Sequence, residues 1–383
     1  MKRVFYWLSF TLYWKIFYRL YLIARKHPRY NYHCKFINNL SKIKDIKTNI
    51  LTKEQKIETD KFYKKYYGKK ISYSFHNMIV GYNNFFDVKY ISPDIFWKFI
   101  DKLNHQDSSG FIFYDKNFLY NFSERAKIKT PKRFFYSTNN LFFDSNDNII
   151  SKEELYKKIS NLGEAFIKPT NMFDSGYAKN CKLINIIDGI DLYSRKGIKD
   201  IIKKYYSHDF IIQEKIVCHK SISDIYPNAV NTFSIYTFIW NGEIKTIDKP
   251  ILKIGMNGSS TDYSGIQGNG LIIAINDDGI LFDSALCIKQ SKWYSYHPNT
   301  KVLFKNHKIE NFQKVLETAK KLHSYVPWLG FCRWDITIGV DGEPILIELE
   351  NPAELLQQQI LHKEGFFGKY TEEILLYLKK DMK

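Results

Sequence analysis

The stretch WDITIGVDGEPILIELEN, Trp334 to Asn351, constrains the chain more than any other, because its turn fixes which side chains share a face. Asp341-Gly342 is a dipeptide favoured in two-residue type I′ hairpins, where both central residues need positive φ. In that register Trp334 faces Leu349, Ile336 faces Ile347 and Ile338 faces Ile345, which makes one apolar stripe. The other stripe sets Asp335 opposite Glu348, with side chains about 5 Å apart, and Arg333 opposite Glu350. Like charges so placed destabilise a sheet, so the two acids either splay into water or serve a ligand that needs them. Mg²⁺ is such a ligand, since it takes oxygen from one or two carboxylates and completes its shell with water and phosphate. A bulge at the turn would slip the register by one and separate the pair.

The 383 residues, 44% of them hydrophobic, can bury a substantial core in two or three structural units. The five cysteines, Cys34, Cys181, Cys218, Cys287 and Cys332, have no metal-ligand spacing and suit a reducing compartment, which places the body in the cytoplasm. Net charge is +17, yet residues 1–70 hold 18 Lys and Arg against 4 Asp and Glu, leaving the remainder near neutral. A nucleic-acid cleft needs positive charge at the site itself, so no nucleic acid is expected.

The basic end begins MKRVFYWLSFTLYWKIFYRLYLIARK. The uncharged run from Val4 to Trp14 is too short to span a bilayer, and Lys15 and Arg19 at its centre would cost about 2.5–3.5 kcal/mol each. No small-residue cleavage site follows it, which argues against a signal peptide. On a helical wheel Lys15, Arg19 and Lys26 share a face, flanked by Trp7, Trp14, Phe17, Tyr18 and Leu22. Two expectations stay open for residues 1–30: a helix lying in a membrane interface, with anionic lipid attracting the basic residues up to 70, or a helix packed on the protein's own core.

Residues 31–109 form a helical or mixed region rich in aromatics. From 110 the pattern predicts a smaller unit to 212: a strand end, a helix starting at Lys116, a short strand, a helix capped by Ser151 and Glu154 and ending at Gly163, the strand EAFIKPT, a helix over 195–207 and the strand DFIIQEKI. Residues 213–383 form a larger unit with hairpins turning at Asn241-Gly242, Asp278-Gly279 and Asp341-Gly342, a helix with buried positions 312, 315, 316, 319 and 322, and a closing helix near 370–380. The fold class is α+β.

A lysine in a strand before proline, a Gln-Glu segment after the next strand, and a hairpin carrying Asp and Glu thirteen residues apart resemble the ATP-grasp fold, in which two α+β lobes hold a nucleotide between them. More narrowly, HKSISDIYPNAVNTFSIYT, ILKIG followed by Asp262 and Gly268, HPNT at His297 to Thr300, and WDITI resemble the sugar-transfer-associated ATP-grasp family of polysaccharide gene clusters, over about 110–365. The resemblance implies that Lys116 and Lys168 hold nucleotide phosphates. It implies that Gln213, Glu214, Lys215 and Ile216 form the hinge that meets adenine, and that Asp335 and Glu348 hold Mg²⁺. The family's third ligand is an Asn two residues after the Glu; here Glu350 stands there and Asn351 follows. Strand parity favours Glu350, whose bland alternative is a salt bridge to Arg333. Asn231, Lys253 and His297 match positions that bind a substrate acid or stabilise an acyl phosphate, with buried structural roles as the alternative. Two positions depart from the pattern: the loop NMFDSGYAKN has one glycine, Gly176, with Lys179 nearby, and Ser234 replaces an arginine.

The function so implied is an ATP- and Mg²⁺-dependent ligase that joins a carboxylate to an amine or sugar acceptor through an acyl phosphate, in synthesis or decoration of a cell-surface polysaccharide at the inner face of the cytoplasmic membrane. The alternatives are a kinase acting on a sugar hydroxyl and a non-catalytic nucleotide- or membrane-binding scaffold.

Overall fold

The computed structural model describes residues 51–103, 115–170, 180–206, 209–265, 268–350 and 355–380. The helix expected over 1–30, the strand end before Lys116, the loop with Gly176 and Lys179, and Asn351 lie outside these residues. Three helices open the described chain: α1 (Lys53–Tyr66), α2 (Ser74–Asn83) and α3 (Pro93–Leu103). Thr52 and Gln55 cap α1 reciprocally, and α3 buries a stripe that includes Ile95, Phe96, Phe99 and Ile100. Next comes α4 (Lys116–Ala126), capped by the Asp115 carboxylate, which accepts from the N–H groups of Asn117 and Phe118.

The smaller sheet comprises β1 (Arg133–Thr138), β2 (Leu141–Asp144), β3 (Ile149–Ile150), β4 (Gly163–Pro169), β5 (Lys182–Ile187), β6 (Ile190–Asp191), β7 (Lys196–Gly197) and β8 (Phe210–Gln213), ordered 3-2-1-8-4-5-6-7. Its core takes Leu155 and Ile159 from α5 (Lys152–Ile159), and Ile198, Ile201 and Ile202 from α6 (Ile198–Tyr205). A short helix, α7 (Lys220–Ser223), leads to the larger sheet. That sheet comprises β9 (Thr232–Trp240), β10 (Glu243–Thr246), β11 (Ile251–Ile254), β12 (Leu271–Ala274), β13 (Ala285–Cys287), β14 (Lys292–Tyr294), β15 (Phe331–Ile338) and β16 (Pro344–Glu350). Its order is 14-13-12-11-9-15-16, with β10 paired to β9. The remaining helices are α8 (Phe312–Ser324), α9 (Leu356–His362) and α10 (Thr371–Lys380). The fold is thus α+β, with two antiparallel sheets. No helix among the described residues is long and apolar enough to cross a membrane.

Period-two alternation gives the larger sheet two buried faces. On one, Phe233, Ile235, Leu252, Trp334 and Ile336 pack with Leu119 and Phe122 of α4 and with Val315 and Leu322 of α8. On the other, Tyr236, Phe238, Trp240 and Ile251 pack beneath α3, α9 and α10. Helix α4, which sequence order groups with the smaller unit, therefore sits in the larger unit's core, because its apolar stripe matches that face.

The hairpin turns differ in a way that decides the site. Asn241 and Gly242 both have positive φ, 53° and 77°, and Trp240 pairs with Glu243, so this is the two-residue turn its sequence predicts. At Asp341-Gly342 only Gly342 has positive φ, 78°. The Asp341 carboxylate accepts from Glu343 N–H at 3.1 Å, and Gly339 N–H donates to Glu343 C=O at 2.9 Å, which closes a three-residue loop. The pairs near the turn are consequently Ile336–Leu346, Thr337–Ile345 and Ile338–Pro344 rather than the expected Ile336–Ile347 and Ile338–Ile345. A bulge then inserts Ile347, and beyond it Asp335 pairs with Glu348, Trp334 with Leu349 and Arg333 with Glu350. The two one-residue offsets cancel, so the facing acids survive.

Gly342→Ala should destabilise the protein by about 1 kcal/mol, because a side chain there must adopt a left-handed conformation. Asn241→Gly should change stability by no more than a few tenths of that. Urea unfolding measures both; an unchanged midpoint for Gly342→Ala would contradict the left-handed backbone at that residue.

Candidate functional site

At one end of the larger sheet the face beneath α3 and α9 turns from apolar to charged. Phe331 gives way along β15 to Arg333 and Asp335, Tyr236 gives way on β9 to Ser234, and Ile251 on β11 to Lys253. Asp335 is only 3% exposed. Its Oδ1 accepts from Ser234 Oγ at 2.7 Å, its Oδ2 lies 2.6 Å from Lys253 Nζ, and Arg333 approaches the same oxygen at 3.4 Å. Arg333 also bridges Glu350, and Lys116 Nζ lies 3.4 Å from Glu348 Oε1. Oxygens of Asp335, Glu348 and Glu350 all lie within 4.8 Å of one another. Three carboxylates converge and each touches a cation.

Electrostatics follow from this packing. Burial pushes the Asp335 carboxyl up, but Arg333 and Lys253 outweigh it and hold the group below its ordinary range. Burial pushes Glu350 up to about 7, opposed by Arg333 and aided by its two acidic neighbours. Burial alone would lower Lys253; Asp335 and Asp262 reverse that and raise it. An all-oxygen, all-carboxylate donor set suits a hard divalent cation such as Mg²⁺.

The lysines approach from other elements. Lys116 opens α4, nearly buried, and its N–H donates to Thr170 C=O at 2.9 Å. Lys168 stands in β4, where burial and the nearby Lys116 ammonium hold it down to about 8. Cys181 shares this neighbourhood, and burial pushes its thiol up. Thr170 Oγ1 and Gln213 Oε1 are buried with no hydrogen-bond partner among the described residues, as expected of groups that meet a polar ligand. Gln213 Nε2 donates to Pro131 C=O at 3.2 Å. Glu214 is engaged twice with Lys132, donating its own N–H to the carbonyl at 2.9 Å and accepting from the N–H through Oε1 at 2.8 Å. Lys215 bridges Glu164 at 3.0 Å, and Ile216 is half-buried in the segment after β8.

Asn231 and His297 do not reach the carboxylates. Asn231 Oδ1 accepts from Gly255 N–H at 3.0 Å and its Nδ2 donates to Tyr226 C=O at 2.8 Å. His297 Nε2 donates to Gly255 C=O at 2.9 Å. Both side chains are fully buried and grip one glycine, two residues beyond Lys253. Asp262 accepts from Thr232 N–H at 3.0 Å and from its hydroxyl at 2.5 Å. Gly268 is required by close approach, since a Cβ there would sit 2.2 Å from Tyr263 C=O. Arg333 and Ser234 are site members that the sequence marks only as an ion-pair partner and as a missing arginine. Their parity with Asp335, two residues along β15 and opposite on β9, was the signal available.

The family described as sugar-transfer associated ATP-grasp matches residues 97–374. No curated protein matches the chain by sequence. Among solved structures it is similar to the VanG D-Ala:D-Ser ligase of Enterococcus faecalis, at 16% identity over 70% of this chain and 62% of that one, TM-score 0.41. It is also similar to D-alanyl-alanine synthetase A of Vibrio cholerae, at 12% over 70% and 64%, TM-score 0.40. A third is the D-alanine-D-alanine ligase of Helicobacter pylori, at 12% over 70% and 58%, TM-score 0.36. The chain spans less than two thirds of the length of each.

A lysine whose pKa is depressed opposes folding when protonated; that penalty is fully present below about pH 8 and fades as pH rises through 8 towards 10.5. Lys168→Met should therefore be at least as stable as the parent at pH 7, with the difference shrinking by pH 10. An NMR titration of labelled lysine Nζ should give one midpoint near 8 that is absent from the variant.

Proposed function

Because the chain belongs to the sugar-transfer associated ATP-grasp family, matched over residues 97–374, we propose that it is an ATP- and Mg²⁺-dependent ligase joining a carboxylate to an amine or a sugar-borne nucleophile. The observation that carries this reading is the convergence of Asp335, Glu348 and Glu350 on one sheet face, with Lys116 in contact and Lys168 nearby. Asp335, Glu348 and Glu350 would hold Mg²⁺, with Asn351 the other candidate for the third position. Such an ion would offset charge on the polyphosphate.

Lys116 and Lys168 bind phosphate oxygens, and the segment Gln213, Glu214, Lys215, Ile216 meets the base, with Gln213 Oε1 as its open acceptor. A carboxylate oxygen of the acid attacks the γ-phosphorus, the bond to the bridging oxygen breaks, and ADP leaves. The nucleophile then attacks the acyl carbon, gives up a proton, and phosphate departs. Lys253 and Arg333, both at Asp335, lie on the face where this charge develops. Asn231 and His297 act as positioning residues by fixing Gly255 and so the end of β11.

We assign the acceptor to cell-surface polysaccharide synthesis, a reading the family's association with sugar transfer supports, and one further partner to an anionic membrane surface. The lysine excess of residues 1–70 supports the latter, as do Lys69 and Lys98 beside the Tyr67 ring and Lys102 over Tyr377.

Calorimetry should show Mg²⁺ tightening ATP binding in the parent and not in Glu348→Gln. Phosphate release should depend on an added amine or sugar nucleophile. Turnover without one, leaving phosphate on a hydroxyl, would favour a kinase; binding without turnover, unaffected by Asp335→Asn, would leave only a scaffold.

A further inference from the structure

The three carboxylates at the end of the sheet already have internal counter-ions. Lys253 bridges Asp335, Arg333 bridges Glu350, and Lys116 bridges Glu348. Formal charges cancel among these six groups, so a divalent cation entering alone adds uncompensated positive charge to a partly buried cluster. A polyphosphate changes this, because it brings negative charge that can take over a lysine.

The three bridges are unequal. Lys253 lies 2.6 Å from an Asp335 side chain that is 4% exposed, and both are strands of one sheet. The Lys116 contact is longer, 3.4 Å, and Glu348 is 27% exposed. Lys116 also comes from α4, outside the sheet, and its ammonium is close enough to Lys168 to depress that group. It thus stands between a carboxylate that would bind metal and a lysine that would bind phosphate. At 3.4 Å, with its carboxylate more than a quarter exposed, this bridge is weaker than the 2.6 Å bridge between Lys253 and Asp335 and is the one more readily exchanged.

We propose that the Lys116–Glu348 bridge is an electrostatic latch that keeps the divalent-cation site weak until a polyphosphate draws Lys116 away, making metal and nucleotide binding mutually dependent. This rests on the ligase reading for the identity of the ligands. Its distinguishing consequence is one of sign. Removing a lysine that only holds phosphate weakens nucleotide binding and leaves metal binding alone; removing a latch weakens nucleotide binding and strengthens metal binding.

The test is Mn²⁺ binding to the full chain without nucleotide, followed by the electron paramagnetic resonance of free Mn²⁺. Lys116→Gln should bind Mn²⁺ about fivefold more tightly than the parent, the ratio that about 1 kcal/mol represents. Lys116→Arg, which keeps the cation, should stay within about twofold of the parent. Lys116→Gln combined with Glu348→Gln should lose the gain, which assigns the effect to that pair. Lys116→Ala repeats the first arm if circular dichroism shows that Gln perturbs the helix. Equal Mn²⁺ affinity in the parent and in the folded Lys116→Gln or Ala variant overturns the latch, as does a gain that survives the second substitution. A fluorescent ATP analogue, measured separately, decides the ligase reading: a parent that binds Mn²⁺ but no nucleotide removes that reading, and the Mn²⁺ comparison still decides whether Lys116 guards the site.

Discussion

A carboxylate buried in the middle of a sheet costs several kcal/mol unless opposite charge and hydrogen bonds surround it. Asp335 meets that requirement across three strands. Lys253 belongs to β11 and Asp335 to β15, and β9 runs between them. The lysine must therefore cross over the intervening strand, whose residue paired with Asp335 is Ser234. A small side chain at 234 leaves the path open and adds its own hydrogen bond to Asp335 Oδ1. An arginine there would fill the gap that the Lys253–Asp335 bridge uses. Ser234 thus fits a site whose cations come from Lys253 and from Arg333 on the acid's own strand.

The charged end of this face is held by its apolar end. Arg333 pairs with Tyr236 on β9, and the Tyr236 hydroxyl accepts from Gln358 of α9 at 3.0 Å. Phe331, two residues before Arg333, packs edge-on against Phe96 of α3. The strands therefore enter the site from a dense aromatic core, and small displacements of Asp335 or Arg333 would have to disturb that packing. Helices from both parts of the described chain thus bear on the charged end without touching it: α3, α9 and α10 cover the sheet up to the point where its charges begin.

Much of the fold could be read from local pattern. The helix over 312–324 shows its buried stripe at helical spacing, and Asn241-Gly242 makes the tight turn its residues favour. The same rule fails at Asp341-Gly342 because a side chain intervenes: the Asp341 carboxylate holds Glu343 N–H, pairs with Lys129, and keeps its own φ negative. Nothing in the sequence around Ile347 announces the bulge that restores the register. The facing acids were legible only because two unseen offsets cancel. The pairing of Lys116 with Glu348 joins residues far apart in sequence, and no periodicity reports such a contact.

Asn231 and His297 show the same limit from the other side. Their motifs suggest a place with the substrate groups, yet each commits one polar atom to Gly255 and the other to a further neighbour, Asn231 Nδ2 to Tyr226 C=O and His297 Nδ1 to the Thr300 hydroxyl. A Cβ on Gly255 would come within 2.8 Å of both Ala229 and Tyr226, so the strand end there has no slack. Asn231 fixes the Gly255 N–H, His297 fixes its carbonyl, and Tyr226 lies against the His297 ring with centroids 5.1 Å apart. Lys253 is two residues upstream, on a strand that cannot shift along its axis without breaking both bonds. The position of the cation beside Asp335 is thus held by these two buried side chains as well as by the salt bridge, so they support the site without facing it.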